Sequence, residues 1–355
     1  MPRSGTGGSL NSRASAPPES ARSRWRTLGL RLLATVGLLV GLTLVVADPR
    51  ELARQLATVS AWAVAAGVVV TAADRVLMAL KWRLLLTARG VPLGAWTAIR
   101  AYFATSFAGL FLPVTLGADA IRVIAVRRLG VYDVTASIVV ERSLGGVAIA
   151  LVGLAGCGFL ATRFANLELR HATVALLAVA VGLTVAFVLS LRVAAWWSER
   201  EHAFARPLAK LAAAYSAYRQ HTGILVVFGL LSVVECFLPV LIGIISARGL
   251  GLDWPAWVFV STIPLALTIA RLPISLGGFG VQEAAFVYLA RLLGYSATDA
   301  LAVMLVTDGV LVLTLLPAAV DSEMLGLRRA VGDRGAPDLV PTGSSVAPLN
   351  AREQK

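Results

Sequence analysis

Two short stretches hold residues whose types and spacing could do chemistry. The first is LPISLGGFGVQE, Leu272–Glu283, with Arg271 directly before it. An arginine and a glutamate bracket a proline, a serine (Ser275) and three glycines (Gly277, Gly278 and Gly280). That set suits a charged head group: Arg271 can contact a phosphate, and Glu283 can contact a cationic group or exchange protons. Glycines let a ligand approach the backbone, and the freed N–H groups of a half-helix start form an anion site. The second stretch is LPVTLGADAIR, Leu112–Arg122. It supplies Thr115, Gly117, Asp119 and Arg122 for the same purpose.

Further ionisable residues stand inside apolar runs, where they are costly and mark function. They are Asp74, Arg75, Glu141, Arg142, Glu235 and Asp308. Glu141, Arg142 and Asp308 join the substrate-binding candidates. Glu235 and Asp308 lack a neighbouring partner in sequence, which favours a cavity-facing role. Other readings stay open. Arg122 could snorkel to the membrane surface, and Asp74–Arg75 and Glu141–Arg142 could be structural pairs between helices. Cys157 and Cys236 read as small buried apolar residues, with no disulfide framework. His171, His202 and His221 show no metal spacing, and nothing implies a cofactor.

The elements that must position these residues are membrane helices. The chain has 355 residues, 57% hydrophobic and 15% charged, with a mean hydropathy of +0.78. Soluble domains carry about 25% charged residues. The net charge of +12 comes from tails and short loops, where it sets membrane orientation, and this argues against nucleic acid as a partner.

Apolar runs at 28–47, 62–80, 134–160, 173–191, 223–246 and 298–320 read as full spans. The first is read as a retained span and not as a cleaved signal. Segments 96–127 and 254–292 are apolar but broken by Pro and Gly. If each enters the membrane and returns, Lys81, Arg83, Arg89, Arg127 and Arg128 all lie on the cytoplasmic side with both termini. The expected fold is therefore an all-α polytopic plasma-membrane protein with six full spans and two re-entrant hairpins. Segment 101–121 could instead cross, giving eight or nine spans. Residues 1–27 and 326–355 read as disordered tails around a membrane domain at 28–325. In 192–222, Phe204, Leu208, Leu211, Tyr215 and Tyr218 recur at helical spacing, fitting a helix on the membrane surface or a short soluble helix.

The two breaks resemble each other. Both contain Leu-Pro, an aliphatic residue, Thr or Ser, then Leu-Gly, and both precede a second Leu-Gly pair (Leu129-Gly130, Leu293-Gly294) and a full span. In the expected topology they enter from opposite faces, as an inverted repeat around a midplane site.

LPVTLGADAIRVIAVRRLG, VVERSLGG and LPISLGGFGVQEAAFVYLARLLG resemble the motifs of the flippase-like membrane domain of lysylphosphatidylglycerol synthases. The resemblance covers roughly residues 28–325. Gly117-Ala118-Asp119 resembles the family's Gly-Gly/Glu/Asp segment, Arg122 stands in the place of its arginine, and Glu283 matches its glutamate. The resemblance implies a membrane domain that handles lipid head groups, in some members moving aminoacylated phosphatidylglycerol across the bilayer and in others linked to polyprenyl-linked sugars; the expected ligand is an anionic, aminoacylated or polyprenyl-phosphate lipid, and no enzymatic activity is expected. Only residues 326–355 follow the last span, where full-length synthases append a soluble transferase domain, so synthesis by this chain alone is not expected. Three alternatives remain. One is a membrane glycosyltransferase that uses Asp48 and Glu51 of the loop ADPRELARQ and a polyprenyl-linked sugar. The second is a subunit that presents lipid to a separate synthase or glycosyltransferase, and the third a small-solute transporter.

Overall fold

The computed structural model describes residues 40–111, 115–126, 129–163, 206–270 and 279–321, with isolated positions at 37 and within 171–193. All described regular elements are helical. They are α1 (Pro49–Ala57), α2 (Ala61–Ala88), α3 (Ala95–Phe111), α4 (Thr115–Ala125), α5 (Val131–Arg163), α6 (Arg206–Ser216), α7 (Thr222–Gly249), α8 (Ala256–Ala270), α9 (Val281–Leu292) and α10 (Ala297–Leu315). A π-helical turn, Leu42–Val46, precedes α1, and a 3-10 turn, Leu316–Val320, prolongs α10.

Four of the described helices are long and apolar enough to cross a membrane: α2, α5, α7, and α10 with its 3-10 extension. They correspond to four of the six expected spans. Most of the runs 28–47 and 173–191 lies outside the described residues, as do the two tails. One boundary moves. The sequence pattern ends the second apolar run at Leu80 and leaves Lys81 and Arg83 in a loop, yet α2 continues to Ala88. Trp82, Leu85 and Leu86 extend its apolar surface and are fully buried. Lys81 and Arg83 are therefore helix residues and not loop charges.

Each broken segment is a pair of short helices packed on one another, α3 with α4 and α8 with α9. A helix rises about 1.5 Å per residue, so the eleven residues of α4 and the twelve of α9 fall short of about 30 Å of hydrocarbon. In each pair the flanking residues lie close together. Leu93 before α3 shares an apolar cluster with Val126 and Leu129 beyond α4. Trp254 before α8 lies 4.3 Å from Tyr295 beyond α9, ring centre to ring centre.

The two hairpins open at opposite ends of the bundle. The Ser60 N–H donates to the carbonyl of Gly249 (2.9 Å), joining the start of α2 to the end of α7. At the other end the Tyr218 hydroxyl donates to the Leu85 carbonyl (3.1 Å). Helices α2 and α7 are thus antiparallel, and each feeds one hairpin. The matched Leu-Gly pairs also match in backbone: Gly130 has φ 104° and Gly294 φ 87°. Left-handed glycine at a helix end stops the helix and turns the chain into the next one. Gly90 after α2 (φ 72°) and Gly251 after α7 (φ 74°) repeat the device one element earlier.

The helix expected in 192–222 is present as α6, but its apolar face meets protein. Tyr215 and Tyr218 are buried with Leu85, Ala136, Val140 and Phe228, capping the ends of α2, α5 and α7. Burial pushes the Tyr218 hydroxyl above the usual phenol range. Phe204 lies outside the described residues.

Helices α5 and α8 approach closely at Gly156, where an added Cβ would stand 2.9 Å from the Ser261 Cα. The backbone there cannot yield as a side-chain tip can. Gly156→Val is expected to destabilise the detergent-purified protein by about 1–3 kcal/mol. Gly158→Val, which meets nothing within 4 Å, should leave the thermal melting temperature unchanged.

Candidate functional site

A cavity of about 300 Å³ lies between the two hairpins. Gly109 and Leu110 at the end of α3 reach it from one side, and Phe279 and Gln282 beside the second break reach it from the other. Six charged residues line it: Asp74, Arg75, Asp119, Arg122, Arg142 and Asp308. They come from α2, α4, α5 and α10. In a bilayer, such charge is tolerable only if it is paired or faces a wet cavity.

One wall is a ladder of alternating charge. Arg122 is 1% exposed. Its guanidinium stands 4.9 Å from the ring of Trp82 and 4.9 Å from that of Tyr102. It donates to Glu141 Oε2 (2.9 Å) and to Asp119 Oδ1 (2.9 Å). Arg142 grips the same aspartate with both ends of its fork, Nε to Oδ2 at 3.0 Å and a terminal nitrogen to Oδ1 at 2.8 Å. The Tyr102 hydroxyl donates to Glu141 Oε1 (2.7 Å). A fork between two rings and two carboxylates uses what distinguishes arginine from lysine: planarity, several fixed donors and weak hydration. Arg122 therefore does not snorkel. Glu141 and Arg142 do not pair with each other; both reach to α4, and they fasten it to α5.

A second set joins α2 to α7. Arg75 binds its neighbour Asp74 (2.7 Å). Lys81, 3% exposed, donates to Ser232 Oγ (2.8 Å) and forms an ion pair with Glu235. Glu235 thus has a partner after all, 154 residues away in sequence. Nearby, Pro239 of α7 lines the cavity. Its missing N–H leaves the carbonyl of residue 235 without its usual helical donor.

The third set is acidic. Glu283 is fully buried, and one of its oxygens accepts from the Gly280 N–H, capping the start of α9. Gly280 itself has φ 83°. The other oxygen, Oε1, has no hydrogen-bond partner among the described residues, and the carboxyl of Asp308 lies beside it. Part of the role expected of Glu283 is therefore structural.

Of the expected site residues, Asp119, Arg122, Arg142 and Asp308 line one cavity, and Glu141 and Glu283 touch members of that lining. Thr115 and Gly117 lie in α4, but their side chains are outside what the structure describes. Arg271, Ser275, Gly277 and Gly278 lie outside the described residues. Sequence reasoning missed Tyr102, Gln282 and Thr71 as lining residues. No local pattern flags a single tyrosine or threonine in an apolar run. It also missed Lys81 as a buried partner. An ammonium close to a helix end is ambiguous until the helix end is known. Asp48, considered as a catalytic carboxylate, caps α1, accepting from the N–H groups of Arg50 (2.9 Å) and Glu51 (3.3 Å). Among the described residues no group of three His, Cys, Asp or Glu side chains is placed to hold a metal.

The chain matches the family model described as Lysylphosphatidylglycerol synthase TM region over residues 29–319. No curated protein and no solved structure matches it.

Removing one member of the ladder strands buried charge. Asp119→Ala leaves Arg122 with Glu141 alone and Arg142 without its carboxylate, and is expected to destabilise the protein by about 1–3 kcal/mol. Arg122→Lys should also lower the melting temperature, because an ammonium cannot bridge both carboxylates from between two rings. Arg54→Ala, at an exposed pair with Glu51, should change nothing measurable.

Proposed function

We propose that this chain, which belongs to the lysylphosphatidylglycerol synthase transmembrane-region family, holds a lipid head group in the charged cavity and carries it across the bilayer. The family places it among membrane lipid-related proteins. The observation that supports the finer reading is the position of the cavity, lined by both the α3–α4 pair and the α8–α9 pair. Irregular backbone at membrane depth persists where it lines a wet cavity, and half-helix ends there suit ions and polar groups.

The side chains suggest a division of labour. Arg142 is the ladder's most accessible cation, with 40% of its side chain exposed, and its guanidinium contacts the phosphate of the head group. Asp308, which lines the cavity and lies beside Glu283, receives a cationic group or a proton. Acyl chains stay in lipid while the head group enters. The two hairpins act as an inverted repeat, each re-entering from one face, and rocking one against the other exposes the cavity alternately. The end that gathers Arg83, Arg89 and Arg100 is then cytoplasmic.

Native mass spectrometry of the full chain with its co-purified lipids tests the reading. Wild type should retain an anionic or aminoacylated lipid class that Arg142→Ala loses by about tenfold or more, the effect of one charge-assisted contact. In proteoliposomes the same variant should slow the flip of that lipid by a comparable factor. Equal retention of bulk lipid by both proteins, with no flip above protein-free vesicles, would overturn it.

A further inference from the structure

We propose that Thr71, Asp74 and Arg75 of α2 form a subsite that reads adjacent hydroxyl groups, a diol, on the bound head group. The proposal rests on the head-group reading of the cavity and specifies what that cavity selects.

The observation is a set of unpaired polar atoms. Thr71 and Asp74 are each 2% exposed. Thr71 Oγ1, Asp74 Oδ1 and Arg75 Nε are buried, and none has a hydrogen-bond partner among the described residues. All three residues line the cavity. They sit at i, i+3 and i+4 and so share one helix face. Buried polar atoms in native proteins are nearly always paired, and leaving them unpaired is costly. Three on one face of one helix, beside a cavity, mark the place where a ligand supplies the partners.

Thr71 is the more telling because other helical threonines here behave differently. Thr105, Thr268, Thr307 and Thr314 each turn the hydroxyl back to the carbonyl four residues earlier, at 2.7–2.9 Å. That is the default for a threonine hydroxyl in an apolar helix. The Thr71 hydroxyl does not take it.

The donor and acceptor types then select the ligand. A phosphate accepts only, and the free oxygen of Asp74 would repel it. An ammonium donates only, and the Nε–H of Arg75 would repel it. A hydroxyl both donates and accepts. Two adjacent hydroxyls can donate to Asp74 Oδ1, accept from Arg75 Nε and exchange either role with Thr71. Such a diol is carried by a glycerol head group or by a sugar.

Lipid competition on the full chain in detergent, read by native mass spectrometry, tests this. The probes share acyl chains: phosphatidylglycerol, phosphatidic acid, a glucosyl diacylglycerol, and phosphatidylcholine as the bulk reference. Wild type should prefer one of the two diol lipids over phosphatidic acid by about tenfold, and the preferred one names the source. Thr71→Val and Asp74→Asn should abolish that preference. Thr71→Val should do so with a melting temperature equal to or above wild type, because it removes an unpaired buried hydroxyl. This separates recognition from structure if Asp74→Asn folds poorly. Equal retention of phosphatidylglycerol and phosphatidic acid by wild type, both released by Arg142→Ala, would overturn the subsite and leave the head-group reading standing. No preference over phosphatidylcholine would overturn both. A lowered melting temperature in Thr71→Val would make its role structural and overturn the subsite.

Discussion

Arg122 sets the constraint on which the arrangement depends. A guanidinium at 1% exposure in a membrane helix bundle cannot stand alone. It needs Glu141 and Asp119 as acceptors and two ring faces for its planar sides. Those four contacts bring α2, α3, α4 and α5 to one point. The short helix α4 has eleven residues and no length to anchor itself. Its charges anchor it instead. Asp119, shared between Arg122 and Arg142, ties it twice to the long span α5 by way of the fork of Arg142. Side chains that look like liabilities in hydrocarbon are what hold the first hairpin in place.

The second hairpin is built differently. Phe259 and Phe286 stack across it with centroids 6.2 Å apart, and Val258, Ile263, Val287 and Ala290 fill a large apolar cluster with α10. Among its described residues, Glu283 caps the start of α9 and lies beside Asp308 of α10. Among the described residues, the contacts of the first pair are thus mainly charged and those of the second mainly apolar, around a shared cavity. Similar chain logic, a span, a left-handed glycine, a short helix, a break, a short helix and a Leu-Gly stop, produces both frames. The side chains placed on each frame make the two walls of the cavity unlike.

The frame is readable from sequence because it rests on local chemistry. Proline and glycine in an apolar run announce a break, and Leu-Gly before a new run announces a stop. Charge inside an apolar run announces a site, and Asp119, Arg122, Arg142 and Asp308 do share one cavity. Pairing is not readable, because it is non-local. Glu235 looks alone in sequence because its partner, Lys81, belongs to another helix and reads there as a loop marker. Arg122 looks able to reach water because its rings and acceptors are distributed over four helices. Thr71 gives no signal at all. Its meaning lies in a hydrogen bond it does not make, which depends on the folded helix and its neighbours.

The Lys81–Glu235 pair also bears on how the chain enters a bilayer. Helix α2 is made 154 residues before the carboxylate that neutralises its buried ammonium. At about 5–20 residues per second, that interval is on the order of ten seconds. A lone lysine at the centre of a helix opposes insertion by about 2.5–3.5 kcal/mol. Lys81 stands in the last two turns of α2, which ends at Ala88, near enough to the end for its long side chain to reach interfacial water in the interval. The ammonium can therefore stay hydrated until α7 supplies its carboxylate.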